Sequence, residues 1–227
     1  MKQTVKKEEY LAKIIHDLKT PASAQVSALK SLLETADKKF SEDETDLIKL
    51  TLNSCSYMQK LIDTFSAVFK LNCSKLVPNY EKFNIVDLLN EIIEEVSILL
   101  KYNELNLEVI TEDEIIINAD KLQLRRVIEN ILSNSINHSY KNSTIQIKIT
   151  KTRYELTFEV KNNSCYIEDK VLREIFNKYK SYSSVYNRAG VGLGLYLSKE
   201  IINAHFGKMI AKSSPENINI FGFVLPL

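Results

Sequence analysis

The stretch Ile14-Ile15-His16-Asp17-Leu18-Lys19-Thr20-Pro21 decides how the rest of the chain is read. Around it Leu11, Ile15, Leu18, Ala22, Val26, Leu29 and Leu33 recur at spacings of three and four, which draws an apolar stripe along one helix face. His16 stands beside that stripe, so its imidazole is expected to face solvent. Thr20 follows one turn later on the same face. Pro21 has no N–H, which removes the usual partner of the Asp17 carbonyl and predicts a bend. An exposed imidazole with a carboxylate beside it and a hydroxyl one turn away is a candidate phosphoryl acceptor. A surface histidine on an amphipathic helix explains the same residues. The choice between the two rests on what lies downstream.

Residues 5–38 read as one long helix. Ser41 then offers an N-cap, and Glu44, three residues on, completes a capping box that opens a second long helix. Along that helix Ile48, Thr51, Cys55, Met58, Ile62, Phe65 and Phe69 alternate steps of three and four, close to a heptad seam. Two such helices joined by a short turn make a hairpin that buries only part of its apolar surface alone. Two copies pairing into a four-helix bundle would cover the rest, which predicts a homodimer. Ser74 and Pro78 lie in a short segment without a clear period, a linker. The chain then divides into 1–72, a linker at 73–79, and 80–227.

In the last part residues 83–85, 105–110 and 115–118 read as strands, and 87–101 and 120–138 as helices. Residues 145–150 and 154–161 form a hairpin pair, 171–179 a short helix, 193–205 a helix, and 209–212 and 218–225 closing strands. Antiparallel strands mixed with helices indicate an α+β sandwich. At 227 residues with 44% hydrophobic content, both parts can build a core. A net charge of +1 carries no polyanion-binding signature, so no nucleic-acid partner is expected. Cys55, Cys73 and Cys165 are odd in number and lack metal-ligand spacing, which suits a reducing cytoplasm. No apolar run reaches about 18 residues. The opening Met1-Lys2-Gln3 is compatible with a native start or with a boundary below an upstream sensor region. Contact with an inner membrane is expected only through such a region.

Two further motifs carry chemistry. Asn130 and Asn134 sit four apart on the helix over 120–138, so both amides project the same way. Asparagine is mildly unfavourable in a helix interior, and its carbonyl oxygen suits Mg²⁺, which takes few protein ligands. A solvated polar face accounts for the same pair. In Gly190-Val191-Gly192-Leu193-Gly194-Leu195, three of the chain's five glycines precede a helix. Such a segment lets backbone N–H groups approach an anion at the helix N-terminus. A dinucleotide-binding fingerprint would instead follow an early strand of a parallel sheet.

Taken together, these stretches resemble the cytoplasmic core of a bacterial two-component sensor histidine kinase. His16-Asp17-Leu18-Lys19-Thr20-Pro21 is similar to the family's phospho-accepting box, and residues 130–139 to its asparagine box. Ile175-Phe176-Asn177-Lys178-Tyr179 is similar to its phenylalanine box, and residues 190–195 to its second glycine box. The resemblance implies a dimerising histidine-phosphotransfer hairpin joined to an ATP-binding domain of the type shared with gyrase and heat-shock ATPases. It implies that His16 takes the γ-phosphoryl group of ATP and passes it to an aspartate of a response-regulator receiver domain. Asp17 would orient the ring and take up its proton, and Thr20 would position water for dephosphorylating the regulator. By the same resemblance Asn134 would ligate Mg²⁺. The nucleotide would lie against Asn130, Asn134, Asn137, His138, Asn162, Ile167, Tyr179, Gly190, Gly192, Leu193 and Gly194, with residues 181–189 as its lid.

The chain departs from the family at the first glycine box, in outline Asp-x-Gly-x-Gly. Asn162 stands at the adenine-binding aspartate, and Ser164 and Tyr166 replace the glycines. Asn162 keeps an acceptor oxygen but loses charge assistance. Any position there that needs positive φ would be strained. Asn137 stands where a basic phosphate contact is usual, with His138 as a partial substitute. The alternative these departures leave open is a regulator-binding scaffold or phosphatase with weakened ATP binding.

Overall fold

The computed structural model describes residues 2–34, 40–73, 76–178 and 192–227. They form two compact units, one ending at Lys75 and the other beginning at Leu76. Among the described residues no helix is long and apolar enough to cross a membrane.

The first unit is a pair of helices, α1 (Lys2–Glu34) and α2 (Glu42–Cys73). α1 runs through Pro21 without interruption. The helices lie antiparallel, because contacts that advance along α1 retreat along α2. Lys19 Nζ meets Asp63 Oδ1 at 2.7 Å, and Gln59 Nε2 donates to Ser23 Oγ at 3.0 Å. At the start of α2 the Ser41 hydroxyl accepts from the Glu44 N–H, and Glu44 Oε2 accepts from the Ser41 N–H at 2.8 Å. This is the capping box its sequence predicts. The bond from the Ser41 backbone, then that from its hydroxyl, holds the Glu44 carboxyl below its usual range.

Ile15, Ala22 and Val26 of α1 are buried, as is Val68 of α2. Leu18, expected on the buried stripe, is instead 53% exposed. It lies about 60° around the helix from Ile15 at roughly 100° per residue, and one partner helix covers only a narrow strip. Met58 and Phe65 of the α2 seam are exposed for the same reason, as are Leu47 and Leu50.

The second unit is an α/β layer pair. β1 (Glu81–Asn84) pairs antiparallel with β3 (Ile116–Ala119). A five-stranded sheet runs in the order β2 (Asn106–Ile110), β4 (Thr144–Lys151), β5 (Glu155–Asn163), β7 (Ile218–Pro226), β6 (Lys208–Ser214). β2 and β4 are parallel, and the other neighbours are antiparallel. Alternation explains which face is covered. Ile145, Ile147 and Ile149 of β4 and Leu156, Phe158 and Val160 of β5 are buried, whereas Lys148 and Thr150 face solvent. Phe158 stacks on its register partner Phe223 with ring centroids 5.1 Å apart.

Helices α3 (Ile85–Tyr102), α4 (Lys121–His138) and α6 (Gly194–Ala204) supply the apolar layer, and the short α5 (Asp169–Glu174) lies at the β6 side. α4 buries Leu124, Val127, Ile128, Ile131, Leu132 and Ile136, spaced at three and four. Each such side chain contributes about 1.5–3 kcal/mol by leaving water. Helix starts are fixed by side-chain caps. Asn84 Oδ1 accepts from Val86 N–H at 3.1 Å and from Ile115 N–H at 3.0 Å, so one amide caps α3 and ends the β1–β3 ladder. Asp120 caps α4 through Gln123 N–H at 3.0 Å, and its other oxygen takes Asn79 N–H at 2.9 Å. The helix expected over 171–179 is shorter, since α5 ends at Glu174.

Candidate functional site

α4 presents its core stripe to the sheet and its asparagines to the other side. Asn130 and Asn134 are half-buried, and Asn137 and His138 are exposed. Asn130 Nδ2 donates to Ser198 Oγ of α6 at 3.0 Å. A Cβ added to Gly194 would lie 2.3 Å from Asn130 Oδ1. A side chain there would push the Asn130 amide from this position, so the asparagine box and the second glycine box interlock here. Gly192 has φ 68°, a left-handed conformation that L side chains rarely adopt. Between the two glycines Leu193 is buried, and its carbonyl accepts from Leu197 N–H at 2.9 Å, the first bond of α6. The positive end of α6 therefore opens next to Asn130.

The end of β5 meets the end of α4. Asn162 is 2% exposed, and its Nδ2 donates to Ser139 Oγ at 3.0 Å. Ser139 in turn donates its hydroxyl to the Ser135 carbonyl at 2.6 Å. Across the sheet Asn162 and Asn219 are register partners, and both are buried. Asn219 Nδ2 donates to Ser164 Oγ and to the Cys165 carbonyl. Its Oδ1 is buried without a hydrogen-bond partner. A buried acceptor left this way is costly, by about 1–3 kcal/mol, unless something donates to it.

The departure at the first glycine box is absorbed without strain. None of residues 162–167 has a positive φ. Ser164 N–H donates to the Asn217 carbonyl at 2.9 Å, Tyr166 N–H to Asn217 Oδ1 at 3.2 Å, and Ile167 N–H to Ser213 Oγ at 2.9 Å. Asn217, in the β6–β7 turn, takes the positive φ of 60°. The left-handed residue therefore lies in the neighbouring turn, and Ser164 uses its hydroxyl as an acceptor that glycine could not supply. Ile167, a predicted contact, is buried beside these residues.

The predicted residues thus fall into three groups. Asn130, Asn134, Asn162, Ile167, Gly192, Leu193 and Gly194 belong to the β5–α4–α6 end of the second unit, with Asn137 and His138 at its exposed margin. His16, Asp17 and Thr20 belong to α1 of the first unit, where Asp17 and Thr20 are exposed. Tyr179, Gly190, residues 181–189 and the imidazole of His16 lie outside the described residues. Ser139, Ser198 and Asn219 were not singled out in the sequence. Ser198 had a signal, since it lies four residues beyond Gly194 on the predicted helix. Asn219 had none, because its partners come from register.

Comparison with known proteins agrees with this arrangement. Residues 119–227 match the family described as histidine kinase-, DNA gyrase B-, and HSP90-like ATPase. The chain is 26% identical over 210 residues to the sensor histidine kinase YvrG of Bacillus subtilis, covering 91% of this chain and 36% of that protein. It is similar in fold to full-length ShkA in complex with AMPPNP, with a TM-score of 0.75 and 18% identity over 96% of this chain and 45% of that one. The catalytic domain of histidine kinase ThkA aligns with a TM-score of 0.59 and 22% identity over 65% of this chain and 95% of that domain. This chain accordingly spans about a third of YvrG and under half of ShkA. Residues 119–227 of the second unit therefore match a GHKL-type ATPase domain, similar to the catalytic cores of bacterial sensor histidine kinases, and ATP is the ligand that such a domain implies.

Proposed function

We propose that the chain is an ATP-dependent protein-histidine kinase that phosphorylates His16 and passes the phosphoryl group to an aspartate of a response regulator. One observation carries this reading. Similarity to YvrG spans 91% of the chain, far beyond the ATPase domain at 119–227, and so reaches into the hairpin that bears His16. Two features support a nucleotide here: Asn219 Oδ1 is a buried acceptor without a donor, and Gly194 lets the N-terminus of α6 lie directly against the Asn130 amide.

ATP, when bound, supplies a transferable γ-phosphoryl group. The unprotonated nitrogen of His16 would form an N–P bond as the bond from phosphorus to the bridging oxygen breaks and ADP leaves, and Asp17 would take up the ring proton. Asn162 and Ile167 would hold the base. Asn130, His138 and the backbone of Gly192 and Gly194 would hold the phosphates at the positive end of α6. Asn134 would give its amide oxygen to Mg²⁺. Thr20 would place water for removal of the phosphoryl group from the regulator. Leu47, Leu50, Met58 and Phe65, exposed along α2, support pairing of two hairpins into a four-helix bundle. The strain-free loop at 162–167 favours the kinase over the scaffold or phosphatase alternative. Incubation with γ-labelled ATP and Mg²⁺ tests it. Acid-labile, base-stable label that disappears in His16→Ala is expected, and unlabelled parent chain, or label retained in His16→Ala, would refute it.

A further inference from the structure

The hydrogen-bond chain behind Asn162 has a direction, and the direction has a chemical consequence. The Ser139 hydroxyl has one proton, which it gives to the Ser135 carbonyl at 2.6 Å. A carbonyl only accepts, so the proton cannot point the other way. The Ser139 oxygen must then accept from Asn162, and the end of the Asn162 amide facing it must be the NH₂ group, at 3.0 Å. A free asparagine side chain presents donor or acceptor by turning over. This one is held in a single orientation, with Oδ1 turned away from Ser139. Among the described residues nothing donates to that oxygen.

The register partner repeats the pattern. Asn219 gives its NH₂ group to the Cys165 carbonyl at 3.0 Å, which again only accepts. Both amides at this end of the β5–β7 ladder are thus fixed with oxygen as the free end.

We infer that Ser139 is a positioning residue that sets base specificity by locking the Asn162 amide as an acceptor. This rests on the nucleotide site proposed above. An acceptor there favours a purine carrying an exocyclic amino group at the six position. It disfavours one carrying a carbonyl, because two acceptors then face each other. An aspartate would be acceptor-only by its chemistry. Asparagine achieves the same selectivity only while Ser139 holds it. Without that hydroxyl the amide is free to turn and offer its NH₂ to a carbonyl base.

ATP and ITP differ in this group, so competitive binding of the two to the full chain tests the inference. Ser139→Ala is expected to lower the ATP-over-ITP preference by at least about fivefold, the scale of one neutral hydrogen bond, with ITP binding gained as ATP binding falls. Ser139→Thr, which keeps the hydroxyl, is expected to preserve the preference. In an Asn162→Asp background, Ser139→Ala is expected to leave it unchanged, because a carboxylate accepts in either orientation. A merely structural serine would weaken both nucleotides alike in both backgrounds. A parent chain that binds ATP, with the same preference retained in Ser139→Ala, overturns this inference alone. A parent chain that binds neither nucleotide overturns the nucleotide site and this inference together.

Discussion

The two units meet the same burial requirement by different means. The α/β unit closes its own core, with Phe158 and Phe223 stacked at 0% exposure between strands and helices. The hairpin buries a strip of small and medium side chains and leaves Leu47 and Leu50 more than 60% exposed. The sheet unit is therefore stable through what it contains, whereas the hairpin leaves apolar surface that the proposed pairing would cover. That difference suits the chemistry proposed for them. A nucleotide site must hold several polar groups in fixed positions, and a phosphoryl-accepting helix must stay open to more than one visitor.

The largest expected effect lies on the self-contained side. Phe158→Ala should cost about 3–5 kcal/mol by removing a stacked ring and leaving a cavity, seen in denaturant unfolding. A loss below about 1 kcal/mol would mean that the core collapses around the gap. Next, the proposed pairing of hairpins predicts a dimeric parent that Leu47→Glu with Leu50→Glu converts to monomer in light scattering, with the α/β unit's unfolding unchanged. An unshifted mass would break the contrast, since the hairpin's exposed face would then not be what pairs. Asn84→Ala should cost about 1–2 kcal/mol, because that amide both caps α3 and receives Ile115 N–H.

The smallest effect is at the start of α2. Ser41→Ala should lower hairpin stability by about 1 kcal/mol at neutral pH. The Glu44 carboxyl is held below its usual value, so its share of this stability is present above the unfolded value of 4.5 and is lost as pH falls through the lower folded value. The gap between the thermal melts of parent and Ser41→Ala should therefore narrow in acid. A constant gap across pH would remove Glu44 from the account of this helix start.

Legibility in the sequence followed the range of the interactions. The capping box at Ser41 and Glu44 and the helix over 120–138 are local, and spacing along the chain encodes them, whereas Asn84, read within a strand, and Asp120, read within the helix, turned out to be caps. The placement of Leu18 was missed because periodicity gives a face but not the width its partner covers. The parallel pairing of β2 with β4 was hidden because a strand and a helix separate them. The interlock of Asn130 with Gly194 was half legible, as two motifs but not as a contact. The Asn162–Ser139–Ser135 chain was not legible as a unit, since its direction depends on which atoms the fold brings within 3 Å. The strain expected at Ser164 and Tyr166 did not arise, because the turn at Asn217 and the side chains of Ser213 and Asn219 rebuild that loop from outside.

The central claim is that a site without its usual aspartate and first glycines still holds ATP. Equilibrium titration of ATP into the intact chain tests this most directly, with Gly194→Ala alongside and folding of both checked by circular dichroism. Saturable binding by the parent, abolished in a folded Gly194→Ala chain whose new Cβ would strike Asn130, is expected. A folded parent that does not bind, or binding that ignores Gly194→Ala, would contradict it.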